Sequence, residues 1–162
     1  MPFDIRTASL RSLRALFASL PPPSATQRHG FFRASFVGPA LLRWSAPPSL
    51  ALSGLPGWQG KRFLGPTTAT NVVRRAGREV EAMTMQVVSG LSQVDGQPGV
   101  ALHYLPEAGR PAPIPWRWVR DELRVLDDDT WLCMTVINLP LLRRLSFPFV
   151  LRREGAAGSG GL

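Results

Sequence analysis

The sequence predicts a mainly β fold: an antiparallel barrel or sandwich with short N-terminal helices packed on it. Three observations carry this. Sixteen prolines and fifteen glycines in 162 residues break the chain into short elements and argue against a helical bundle. From Gly57 onward, short apolar segments alternate with turn signals and no long helical pattern intervenes. Residues 115–138, which hold three of the five tryptophans, read as a hairpin around the run Asp127-Asp128-Asp129-Thr130. With 44% apolar residues and a mean hydropathy of +0.01, the chain is long enough to bury one sizeable core. The organisation read from it is a helical extension over 1–50, a barrel over 51–154 and a disordered tail over 155–162.

Taken in order, residues 7–20 place Leu10, Leu13, Leu16, Phe17 and Leu20 at helical spacing. Thr7 or Ser9 can cap the start, and Pro21-Pro22-Pro23 ends the helix. This helix can dock on the domain as a lid, lie on a membrane surface, or serve as an Arg-rich targeting segment. Residues 24–44 are again helix-compatible, with Phe32 and Phe36 four apart, and Pro39 is placed to open a second short helix. Residues 46–56, rich in Pro, Ser, Gly and Leu, read as an apolar connector laid over the domain. Short strands follow over 58–64, 71–76, 79–88 and 99–105, with turns at Ala76-Gly77-Arg78 and Asp95-Gly96. Residues 106–115 are a proline-rich loop. The hairpin comes next, then 140–146 and a last strand over 147–153.

The first half of the hairpin is ambiguous by periodicity, because Trp116, Val119, Leu123 and Leu126 also line up on a helix. Residues 131–137 are rich in β-branched residues and too short for a lone helix, which favours strands for both halves. Asp127-Asp128-Asp129 then reads as a turn whose side chains bond the local backbone. Consecutive carboxylates on a strand would point to opposite faces, so the run makes a poor metal site.

The net charge of +8 raises the question of a polyanionic partner. Residues 1–45 carry six arginines against Asp4, and residues 54–154 carry thirteen basic against ten acidic residues. The arginines are scattered pairs with no stripe of interleaved aromatics, so no specific nucleic-acid site is read from them. No apolar run reaches the ~18 residues of a membrane span. The single cysteine, Cys133, excludes an intrachain disulfide, suits a reducing compartment, and reads as a small buried hydrophobe.

Trp58-Gln59-Gly60-Lys61-Arg62-Phe63 resembles the opening of the GxWxG-motif proteins, a bacterial family of uncharacterised function. Residues 121–130, DELRVLDDDT, followed by Leu132 and Met134, resemble the hairpin those proteins carry near their C-terminus. The match covers about a third of the chain. Pro56 stands at the motif's first glycine, and Cys133 where a glycine is usual. The resemblance implies a lipocalin-like (fatty-acid-binding-protein-like) antiparallel barrel with a central cavity. It implies no reaction and no cofactor.

Candidate site residues follow from the strand reading. Asp121 shares a face with Val119, Leu123 and Val125, so it is expected to be buried and to need a partner; Arg117, on the same face, is the local candidate. Trp58, Trp116, Trp118, Trp131 and Tyr104 either line a ligand cavity or fill the core. His103, a lone strand histidine, could bind haem iron or act as a general base, or be a surface or satisfied core group. Three functions compete. The first is a cytoplasmic binding protein holding a small apolar or amphipathic ligand, its barrel flanked by residues 7–20. The second is a barrel-cavity isomerase or dehydratase using Asp121 or His103. The third is a protein-interaction module working through its N-terminal helices. An inward Asp121 held in an ion pair, with His103 pointing outward, would count against the enzyme.

Overall fold

The structure, a computed structural model, describes residues 3–106 and 111–155. The tail expected to be disordered lies, from residue 156 on, outside the described residues.

Eight antiparallel strands run up and down in sequence order and close into a barrel. They are β1 (Gly30–Phe36), β2 (Trp58–Phe63), β3 (Thr68–Arg75), β4 (Arg78–Leu91), β5 (Pro98–Tyr104), β6 (Val119–Asp127), β7 (Thr130–Ile137) and β8 (Ser146–Arg153). Closure comes from β8 returning to β1, with Phe32 opposite Arg153 and Phe36 opposite Phe149. The barrel alternative is therefore the observed one, in the up-and-down architecture that lipocalins also use. The hairpin pairs Val119 with Ile137 through Asp127 with Thr130. Its turn is the aspartate run, in which the Asp129 N–H donates to the Asp127 carboxylate at 3.0 Å.

Two sequence expectations are corrected. The helical reading of 24–44 fails over β1, where Phe32, Ala34 and Phe36 face the lumen and Phe31, Arg33 and Ser35 face out. Phe32 and Phe36 are four apart, a spacing that both the helix and the strand satisfy, and pairing on both edges decides for the strand. The barrel thus takes its first strand from within residues 1–50, which the sequence reading treats as helical. The connector expected over 46–56 is mostly helix: α2 spans Ala40–Leu52 with Pro47 and Pro48 inside it. It stops in a Schellman motif. The Leu55 N–H donates to the Leu50 carbonyl (2.9 Å) and the Gly54 N–H to that of Ala51 (3.3 Å), with Gly54 at φ +96°.

The first helix, α1 (Leu10–Ser19), is capped by Ser9, whose hydroxyl accepts from the Ser12 N–H at 3.1 Å. It docks on the domain, but on the outer wall and not over an opening. Leu13 and Phe17 are fully buried against Leu132, Met134 and Val150, the outward side chains of β7 and β8. Beneath it lies a buried polar belt. Arg124 pairs with Asp95 at 3.0 Å and covers the Phe17 ring, while Glu122 accepts from the Gln93 N–H at 2.7 Å and from the Ser92 hydroxyl. No helix among the described residues is long and apolar enough to cross a membrane.

Candidate functional site

The lumen has two halves. At the end away from α2 it is solid: Phe32, Phe63 and Trp131 pack with ring centroids 4.3–5.5 Å apart, among Leu123, Cys133 and Leu151. At the other end a cavity of about 270 Å³ remains. Phe36, Trp58, Val119, Ile137 and Phe149 form its walls, and Pro115-Trp116 closes one side. Its roof is α2, which presents Leu42, Ser45, Ala46 and Ser49 to the space. The lid over the cavity is therefore α2, and not residues 7–20 as expected.

The floor is polar and buried. Lys61 and Asp121 are 1% and 3% exposed, and the Lys61 ammonium lies 2.7 Å from the Asp121 carboxylate. The ammonium also donates to Asn71 Oδ1 at 3.0 Å and lies 3.4 Å from both the Tyr104 hydroxyl and Met85 Sδ. Thr135 donates to the second Asp121 oxygen at 2.7 Å, and Trp58 Nε1 to Asn71 Oδ1 at 3.0 Å. Burial works most strongly against the Lys61 ammonium, but the charges and hydrogen bonds of Asp121 and Tyr104 together outweigh it and hold Lys61 above its ordinary value. The Tyr104 hydroxyl is raised to about 12, by burial first, with Lys61 opposing and Asp121 adding to it. The floor thus carries one full positive and one full negative charge, each hydrogen-bonded, inside an otherwise apolar chamber.

Local backbone geometry puts Lys61 there. Register shifts between Trp58 and Gly60 as β2 pairs with β3. That bulge turns both Trp58 and Lys61 inward although they are three residues apart. Gly60 sits at the bulge where the β1 backbone comes closest: a Cβ on it would lie 2.0 Å from the Phe32 carbonyl oxygen. A second bulge, between Thr70 and Asn71 against β4, accompanies the positive φ of Met83 (59°) and leaves Asn71 facing the lumen.

The expected site residues separate into two groups. Trp58, Tyr104, Trp116 and Asp121 all line the cavity. Trp116 donates to the Ser53 carbonyl at 2.6 Å, tying the side wall to the end of α2. Trp131 is fully buried in the solid half and does not reach the cavity. Trp118 and Arg117 also lie outside its lining. Arg117 is exposed, donates to the Ala112 carbonyl at 3.0 Å and stacks over Trp118, so it is not the partner of Asp121. The 3-10 turn over Trp116–Trp118 precedes β6, so strand alternation does not extend back to Arg117. His103 alternates with Leu102 and Tyr104 and points out of the barrel, half-buried. Its pKa is lowered by burial and then by Arg120, with Glu122 opposing. Cys133 is buried in the core as expected, and burial pushes its thiol up.

No protein-family model matches the chain, and no curated protein matches it. Among solved structures, the chain is similar to a protein from Thermomonospora curvata known from its crystal structure. The likeness covers 92% of this chain and 90% of that one, with a TM-score of 0.66 and 18% identity. At that identity it speaks for the fold alone.

Proposed function

We propose that this chain is a cytoplasmic binding protein of the GxWxG-motif type that holds a small, uncharged, mainly apolar molecule in the cavity beneath α2. One observation carries the reading: an apolar chamber that ends on a buried polar floor whose charges already cancel. A site at the lower end of the ~300–1,000 Å³ usual for ligand pockets suits a single ring or a short chain better than a long fatty acid. Lys61 spends its charge on Asp121, so a carboxylate ligand would bring a negative charge with no free cation to meet it. An alcohol, ketone or ester can instead set its oxygen against Tyr104 or Thr135 while its carbon skeleton covers Trp58, Phe36 and Phe149. The Trp-x-Gly-Lys segment supports the family assignment by its role here, since its tryptophan and lysine both face the cavity.

The geometry is less suited to the isomerase or dehydratase. Asp121 is held by Lys61 and Thr135, and His103 faces outward. The interaction module loses the first of its helices, because the apolar face of α1 is buried on the barrel wall. The test is titration with small neutral alcohols, ketones and esters and with matched carboxylates, followed by tryptophan emission and native mass spectrometry. Neutral ligands are expected to bind one per chain, and Ser49→Phe, which fills the chamber from the roof, is expected to abolish this without unfolding the barrel. Carboxylates binding better, or binding untouched by Ser49→Phe, would sink the reading.

A further inference from the structure

The lid helix α2 carries apolar side chains on both of its faces. Ser45, Ser49 and Ser53 recur every four residues; all three line the cavity beside Leu42, Ala46 and Leu50, and each donates its hydroxyl to a carbonyl of the preceding turn. Three more apolar side chains lie on the outer face, where Leu41, Trp44 and Leu52 are 75%, 74% and 91% exposed. At positions 41, 44 and 52 they form one stripe on the helix surface. Leu141, 87% exposed, stands in the β7–β8 connection on the same rim. A monomer surface that carries a tryptophan and several leucines together marks an interaction site.

The charge of the two rims identifies the partner. The described residues of the connections at the cavity rim (37–57, 76–77, 105–106, 111–118 and 138–145) contain four arginines and no acidic residue, which is +4. The opposite rim (20–29, 64–67, 92–97, 128–129 and 154) contains Asp95, Asp128, Asp129 and Glu154 against Arg28, which donates to the Pro66 carbonyl, and this is 1 − 4 = −3. That rim also exposes Leu64 and Leu91, but its charge is of the other sign. The apolar stripe therefore lies on the positive end of a polar barrel. Arg143 and Arg144, both exposed, adjoin Leu141.

We propose that this rim docks on an anionic lipid bilayer, with the outer face of α2 set in the headgroup–acyl boundary and the rim arginines on lipid phosphates. Tryptophan favours that boundary because its ring is apolar and its N–H polar. A second copy of the chain would bring another +4 rim against the first, and a nucleic acid would leave Leu41 and Leu52 facing water. A bilayer satisfies both the stripe and the arginines. The docking does not depend on what the cavity holds. It does place the lid against the lipid phase, so that an apolar molecule dissolved there could reach the cavity without crossing water.

The full chain should be floated with phosphatidylcholine vesicles with and without phosphatidylglycerol. Binding is expected only with the anionic lipid and should weaken as salt rises. Brominated lipid should quench tryptophan emission, and Trp44→Leu should lose most of that quenching while keeping the binding. The triple variant L41S/W44S/L52S and the double variant R143Q/R144Q are each expected to weaken binding by at least about tenfold. All five positions are exposed, so thermal unfolding should report an intact barrel. Three results would overturn the proposal: no binding to anionic vesicles by folded protein, vesicle binding indifferent to both variants, or self-association that Trp44→Ser abolishes in the absence of lipid.

Discussion

Lys61 and Asp121 meet at 2.7 Å from β2 and β6, strands with three others between them in either direction around the eight-stranded barrel. Their ion pair therefore crosses the lumen from wall to opposite wall. It separates the aromatic plug around Trp131 from the cavity under α2, and it fixes where the cavity ends.

Breaking this strut from one side should be far worse than removing it. Lys61→Met leaves a buried carboxylate without a countercharge and is expected to cost about 3–5 kcal/mol. The double variant K61M/D121L leaves no charge behind and should recover most of that loss. Urea unfolding of the wild type, both singles and the double closes the cycle. A double variant as unstable as Lys61→Met would mean that the floor is stabilised by something other than charge pairing.

Gly60 is expected to tolerate no side chain. A Cβ there would meet the Phe32 carbonyl oxygen at 2.0 Å, and its nearest neighbours are all β1 backbone, with no flexible side chain to yield. Gly60→Ala should destabilise the barrel by more than about 2 kcal/mol and should disturb Lys61 and Trp58, which the same bulge aims. Gly65→Ala, where a Cβ would meet nothing within 4 Å, is the control and should change stability by no more than about 0.5 kcal/mol.

Stability should fall on the alkaline side. Tyr104 titrates near 12 when folded and from 10.0 when unfolded, so the unfolded chain loses its proton first. The stabilisation is intact below pH 10 and lost between 10 and about 12, on the order of 2–3 kcal/mol in all. Lys61 and Cys133 are also raised above their ordinary values, and both act in the same direction. Urea midpoints should hold from pH 7 to about 9 and then decline, more gently in Tyr104→Phe. A flat profile to pH 11 would contradict the buried placement of these groups.

The barrel was legible because period-2 alternation, prolines and turn residues all agree over 58–153. The inward aspartate was legible for the same reason, since Asp121 keeps the parity of Leu123 and Val125. Its partner was not. Counting by twos from Trp58 puts Gly60 and Arg62 on the inner face and Lys61 outside, and only the bulge reverses this. One compositional trace was present: Lys61 is the only lysine among nineteen basic residues. Its compact ammonium on an unbranched stem suits a narrow lumen better than a planar guanidinium. The cavity roof was hidden for another reason. Pro47-Pro48 argues against a helix, and the stop at Gly54-Leu55 becomes decisive only once Leu55 is buried against Leu50.

The crossing strut also bears on how the chain folds. Its two ends are sixty residues apart, and the β1–β8 seam joins residues more than a hundred apart. Such non-local pairing places the barrel among slow folders, on a scale of milliseconds to seconds. The floor exists only where these distant strands are brought face to face across the lumen. The cavity floor is therefore a product of long-range pairing, and no local segment of the chain can build it alone.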